Sequence, residues 1–414
     1  MTDTSALYRR TLRVLLVSQV LAGAGLAAGI TVGALLAEDM LGSTGAAGLP
    51  AALFTLGSAA AAIGVGRLSQ RSGRRPGLAA GYAVGALGGA GVVAAAVLDH
   101  VPLLFAALFL YGSGTATNLK ARYAGADLAP ADHRGRAVSI VLVATTLGAV
   151  LGPNLVEPMG DIAESVGVPA LAGPFLLATA AYALAAIAVT ILLRPDPLLA
   201  ARAAPPPPAR EGAEPRDAPG SWATVRLAAA AMVITQLVMI AVMTMTPIHM
   251  RDHGHSVGDA GIVISIHVAA MFLPSPITGQ LVDRIGRRPV LAAGGVTLLA
   301  AGVLAAAAPP DSMVLLTVAL ALLGLGWNFG LVGGTALVTD AAPLADRART
   351  QGSVDLLVAL AGAAGGAGSG VIVAGTSFAA LALGGGLLSL ALIPLLLVER
   401  RAAAPVPAVA PTAD

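Results

Sequence analysis

The chain has 414 residues, 57% of them hydrophobic and only 11% charged, with a mean hydropathy of +0.84 and a formal net charge of +2. Soluble domains carry about 25% charged residues, so this balance excludes an ordinary water-soluble protein and points to the bilayer. The chain holds no cysteine, which removes disulfides and thiolate metal ligands.

In chain order, apolar segments near bilayer length fall at 12–37, 46–67, 77–98, 101–122, 136–157, 171–193, 226–249, 258–282, 289–308, 312–336, 352–375 and 377–398. About 20 such residues cross the hydrocarbon as a helix, so twelve spans are expected. The first segment follows Arg9, Arg10 and Arg13 and is too long for a signal h-region, so it reads as a membrane helix and not as a cleaved leader. Ala and Gly abound in the spans, as in helices that pack closely in lipid.

With a cytoplasmic N-terminus, all but Arg251 of the 24 basic residues fall on the inner side. The positive-inside rule then places both termini in the cytoplasm of a bacterial plasma (inner) membrane. The basic pI of 9.3 is thus topology, and no nucleic-acid partner is expected. The outer loops carry acids, among them Glu38, Asp39, Asp99, Asp161, Glu164, Asp252 and Asp259.

An internal repeat organises the chain. An offset of 213 carries Gly66, Arg71, Gly73, Arg74, Arg75 and Pro76 onto Gly279, Arg284, Gly286, Arg287, Arg288 and Pro289. The same offset carries Asp127, Pro130, Arg134 and Arg136 onto Asp340, Pro343, Arg347 and Arg349. Both copies lie on one side, so the halves are parallel repeats about an axis normal to the membrane. The expected units are a six-helix half at 1–193, a Pro/Ala-rich cytoplasmic linker at 194–225, a second half at 226–398 and a disordered tail at 399–414.

The loops after the second and eighth spans, Gly66-Arg-Leu-Ser-Gln-Arg-Ser-Gly-Arg-Arg and Gly279-Gln-Leu-Val-Asp-Arg-Ile-Gly-Arg-Arg, resemble the G-x-x-x-D-R-x-G-R-R loop of the major facilitator superfamily. The resemblance implies an all-α membrane protein with the major facilitator fold and a gating clamp at these loops. Gln70 stands where the first copy should hold an acid, while Asp283 keeps it. Gln70 can still hydrogen-bond a helix end, and Asp355 is expected to supply the missing charge by facing Arg71 or Arg74.

The stretch 232–271 holds six of the ten methionines and four of the six histidines. Met232, Gln236, Met239, Met243, Thr246 and Met250 share one narrow stripe of the seventh span. His267 and Met271 share a face of the eighth, ahead of Pro274 and Pro276, which should kink it. Thioether and imidazole are soft ligands that select Cu(I). Methionine stripes more often serve packing, whereas an intramembrane histidine marks a pathway. The pairs Met239-x-x-x-Met243 and His267-x-x-x-Met271, with Gly324-Leu-Gly-Trp-Asn328, resemble those of the CcoA-like copper importers. That resemblance implies copper-binding roles for Met239, Met243, His267 and Met271, with copper as cargo and no cofactor. His249, Met250, His253 and His255 would form a relay at the outer mouth.

The competing reading is a proton-coupled exporter of drugs or another small organic solute. Gly148-x-x-x-Gly152-Pro153 partly resembles the antiporter motif, with Val156 and Glu157 where glycines would follow. Glu157, His267 and Asp355 are the candidate proton carriers, and Asn118 and Lys120 could line the inner cavity. No catalytic constellation or nucleotide-binding loop appears, so no enzyme is expected. A secondary transporter, monomeric in the bilayer, is the expectation.

Overall fold

The computed structural model describes residues 4–41, 48–204 and 222–401. Sixteen helices account for nearly all of them. In the first half they are α1 (Thr4–Leu41), α2 (Gly48–Ser72), α3 (Arg74–Val97), α4 (Val101–Asp127), α5 (Arg134–Asn154), α6 (Val156–Ser165) and α7 (Gly173–Leu192). The short α8 (Pro197–Ala203) follows. The second half holds α9 (Trp222–Asp252), α10 (Val257–Phe272), α11 (Ser275–Ile285), α12 (Arg287–Ala307), α13 (Met313–Ala341), α14 (Arg347–Gly375), α15 (Phe378–Ser389) and α16 (Leu392–Arg401).

These give the twelve expected spans, because α10 with α11 and α15 with α16 each form one span broken in the middle. The eighth span breaks at Leu273 and Pro274, as its prolines predict: Pro274 and Pro276 lack the amides that an unbroken helix would use. The twelfth breaks at Leu390–Ala391, which the hydropathy did not signal. Eight spans among the described residues are by themselves long and apolar enough to cross a membrane. The fourth falls short because the stretch of α4 from Gly112 to Asn118 is small and polar, which suits a helix facing protein.

The linker is also more structured than its composition suggests. Asp196 caps α8 through Leu198 N at 3.0 Å and accepts from Arg75 N, at the start of α3, at 2.7 Å. The rest of the linker, 205–221, and the tail from 402 onward lie outside the described residues.

The repeat governs packing. In the first half α1 lies on α5 and α7, and α3 on α4 and α7. In the second, α9 lies on α14 and α15, and α12 on α13 and α15, which are the same pairings one half later. Between halves, α2 meets α14 and α11 meets α5. Apolar side chains such as Leu184, Ile187, Ile191, Ile262 and Ile266 stay exposed, as lipid requires.

Candidate functional site: the clamp between the halves

The crossings between halves rest on small residues. A Cβ on Gly66 would lie 3.0 Å from Gly352 Cα, and one on Gly279 would lie 2.6 Å from Gly135 O. Only missing side chains let these backbones approach so closely. Just beyond, α2 and α11 each stop at a glycine with φ +97, Gly73 and Gly286, a conformation that other residues rarely adopt.

The side chains at positions 70 and 283 then do the same work in both copies. Asp283 accepts from Gly135 N at 2.8 Å and Arg136 N at 2.9 Å, at the start of α5. Gln70 accepts from Ala348 N at 3.1 Å and Arg349 N at 3.4 Å, at the start of α14. Orphan amides at a helix start need an acceptor, and an amide oxygen serves where a carboxylate is missing. The first copy lacks only the charge.

Repeat mates also form the ion pairs. Arg74 Nε meets Asp127 Oδ2 at 2.7 Å, and Arg287 Nε meets Asp340 Oδ2 at 2.8 Å. Arg74 also reaches Gln351 on α14, and Arg134 pairs with Asp340, so both clusters tie one half to the other. Arg71 and its mate Arg284 are exposed.

Asp355 does not do what the sequence suggested. It faces neither Arg71 nor Arg74, whose guanidinium is taken by Asp127. Its Oδ2 instead meets Lys120 Nζ at 3.0 Å, and its Oδ1 meets Arg122 Nη2 at 2.7 Å and the Tyr123 hydroxyl at 3.1 Å. Helix α4 brings all three to α14, a register that spacing along the chain cannot reveal. Lys120 does not snorkel to an interface; it is buried at 3% exposure. Arg122 is buried too, with its guanidinium 4.4 Å from the Tyr123 ring centroid. Arg122, Tyr123, Gln351 and Thr335 escaped the sequence reading. A basic pair late in an apolar span was the available signal.

Above this floor the halves differ. In the first, Gln19 Nε2 donates to Asn118 O at 3.0 Å and Thr145 Oγ1 at 2.9 Å, and its Oε1 accepts from Tyr82 Oη at 2.7 Å. One glutamine thus ties α1, α3, α4 and α5 together. In the second, Trp327 Nε1 donates to Gln236 Oε1 at 2.7 Å. Asn328 Nδ2 donates to Met271 O and Ser275 Oγ, both at 2.7 Å, and its Oδ1 accepts from Thr278 Oγ1 at 2.5 Å. That knot spans the break between α10 and α11.

The methionines and histidines are scattered among several roles. Met232 packs on Gly334, and Met239 and Met271 are buried in the apolar cluster of the second half, with Met243 packed against it. His267 is fully buried; its Nδ1 lies 2.8 Å from Leu320 O, while Nε2 has no hydrogen-bond partner among the described residues. Met250 is fully buried and not presented at the mouth. His249 stacks on Phe378 at 4.3 Å, with the His253 ring 4.4 Å away. His255 turns instead to Pro310 O at 3.1 Å. Among the described residues no three His, Cys, Asp or Glu side chains gather as a metal-holding group. Gly148 packs against the α1 backbone at Val20 and Glu157 is exposed on α6, while the packing of Gly152 and Pro153 lies outside what is described.

A family model described as the Major Facilitator Superfamily matches residues 15–249 and 227–412. The MFS-type transporter YdeG of Bacillus subtilis is 58% identical over 403 residues, covering 95% of this chain and 93% of that protein. The riboflavin transporter RfnT of Brucella anthropi is 33% identical over 363 residues, covering 86% and 87%. Among solved structures, the human organic anion transporter MFSD10 (TETRAN) superposes with a TM-score of 0.76 at 15% identity, covering 94% of this chain and 99% of that one. At that identity the likeness establishes the fold alone.

Proposed function

The chain belongs to the Major Facilitator Superfamily and moves a small solute or ion by alternating access, and from that premise we propose that its cargo is a small organic solute. The observation that carries this reading is the chemistry along the middle of the helices, away from the clamp. Amides, hydroxyls and an indole of Gln19, Tyr82, Asn118, Thr145, Gln236 and Trp327 are groups that pair with donors and acceptors on an organic molecule. They do not make a cage for a bare cation. The relative that transports riboflavin makes flavins the first class to try.

The arginine-rich end is the cytoplasmic one by the positive-inside rule. The clamps just described then close the inner side, and cargo is received from outside. Rocking of the halves must break these clamps in turn. An ion gradient or downhill flux supplies the energy, since the chain offers no nucleotide-binding loop.

One observation favours copper as a second reading: the buried Nε2 of His267, without a hydrogen-bond partner among the described residues, close in sequence to Met271 and sharing α13 as a neighbour with Met239 and Met243. A single assay separates the two. Proteoliposomes preloaded with riboflavin should exchange labelled riboflavin, with copper accumulation unchanged from empty vesicles. Copper uptake that depends on the chain and vanishes in Met243→Ala and His267→Ala, with no flavin exchange, would replace the organic reading.

A further inference from the structure

The clamp formed by the two repeated loops explains itself by symmetry, but the cluster around Asp355 does not. The repeat mates of Lys120, Arg122 and Asp355 are Gly333, Thr335 and Leu142, which carry no charge. Something specific to one orientation of the carrier requires two cations on α4 and a single carboxylate on α14.

Their bookkeeping is unequal. Arg122 is nearly saturated: Nε on Thr335, Nη1 on Leu119 O, and Nη2 on Tyr123 and Asp355. Lys120 has three protons to give and, among the described residues, bonds only Asp355. A buried ammonium with unused donors calls for a further acceptor. The crossing beside it is tight while this end is shut, since a Cβ on Gly352 would lie 2.9 Å from Ala62 O and 3.6 Å from Lys120 Nζ, so room for that acceptor comes only as α2 and α14 part. The carboxylate is on the other half from both cations. Separating α4 from α14, as opening of this end demands, withdraws Asp355 and leaves Lys120 and Arg122 together without a counter-ion. Uncompensated charge in such a place is costly.

We infer that Lys120 and Arg122 form the binding site for an acidic group of the cargo, a carboxylate or phosphate, and that Asp355 is a tethered stand-in occupying it while the arginine-rich end is shut. Cargo and Asp355 compete for the same two cations. An acidic cargo therefore loosens the clamp by replacing its carboxylate, which links loading to opening without a separate trigger. This rests on the organic-solute reading and narrows it to acidic members.

The test uses the purified full chain in lipid nanodiscs and matched twins that differ by one acid group: nicotinate and nicotinamide, benzoate and benzamide, riboflavin 5′-phosphate and riboflavin. In at least one pair the acidic twin should bind about tenfold more tightly. Asp355→Asn, which removes the competitor, should tighten acid binding further. Lys120→Gln should abolish the preference, and Lys120→Arg should retain it, which controls for misfolding. Equal binding of every pair of twins, no binding by any of the six compounds, or an Asp355→Asn variant that binds acids no better than wild type would each overturn the inference. Exchange of neutral riboflavin with no acid preference would leave the proposed function standing while this inference fell. Chain-dependent copper uptake alone would remove both.

Discussion

Arg122 Nε donates to Thr335 Oγ1 at 2.9 Å, and the two residues stand 213 positions apart, the offset that relates the halves. Repeat mates can touch only near the axis that exchanges them. This contact therefore puts the Lys120–Arg122–Asp355 cluster close to the pivot of the two halves, where a modest rotation changes every cross-half distance.

Removing the countercharge should bias that rotation. Asp355→Asn leaves two buried cations poorly compensated, a loss of roughly 3–5 kcal/mol for the closed arrangement. The absence of cysteine allows clean spin labelling at Ser72→Cys and Asp346→Cys, on the facing ends of α2 and α14. The label distance should lengthen in Asp355→Asn. An unchanged distribution would show that the cluster does not hold the clamp.

The two helix-end acceptors should differ in strength because one is charged. A carboxylate near a helix N-terminus is worth about 0.3–1 kcal/mol at the surface and up to about 2 when partly buried. Gln70→Glu should thus strengthen closure and slow turnover, while Asp283→Asn should weaken the other crossing. Both effects are readable from the same label pair and from transport rate. Shifts of the same sign in these two variants would contradict the equivalence drawn between positions 70 and 283.

Close crossing of backbones predicts a sharp size limit. In Gly279→Val the side chain would meet Ser139 Oγ and the Gly135 carbonyl, whose oxygen cannot swing aside. Helices α11 and α5 should part, the arginine-rich end should stay open, and transport should fall to background. Gly66→Ala faces a gap of 3.0 Å and should be milder. Normal turnover in Gly279→Val would mean that this crossing loosens at little cost.

Asn328 is predicted to set the stability of the broken eighth span. Asn328→Leu removes three hydrogen bonds and leaves the Met271 carbonyl and Ser275 and Thr278 hydroxyls in need of partners. Unsatisfied buried groups cost about 1–3 kcal/mol each. Thermal unfolding should shift downward, and amide exchange should quicken in α10 and α11 before other helices. Uniform exchange across the second half would point to global destabilisation instead.

The sequence by itself determined the twelve spans, the two halves and the loops that clamp them. Hydropathy over 20 residues and a duplication of whole segments survive without any knowledge of packing. It also anticipated the break at Pro274, because proline acts on its own backbone. What only the tertiary structure decided was partnership. Asp355 lies 235 residues from Lys120 and 233 from Arg122, and nothing local distinguishes them from Arg71 or Arg74 as partners. Gln70 could be read as a defect until the amides of Ala348 and Arg349 stood beside it, where any acceptor suffices. The soft side chains of 232–271 form a stripe on a helical wheel, yet neighbouring helices send them to different tasks: packing on Gly334, stacking on Phe378, a hydrogen bond to Leu320. A helix fixes which residues share its face, and only its neighbours fix what that face meets.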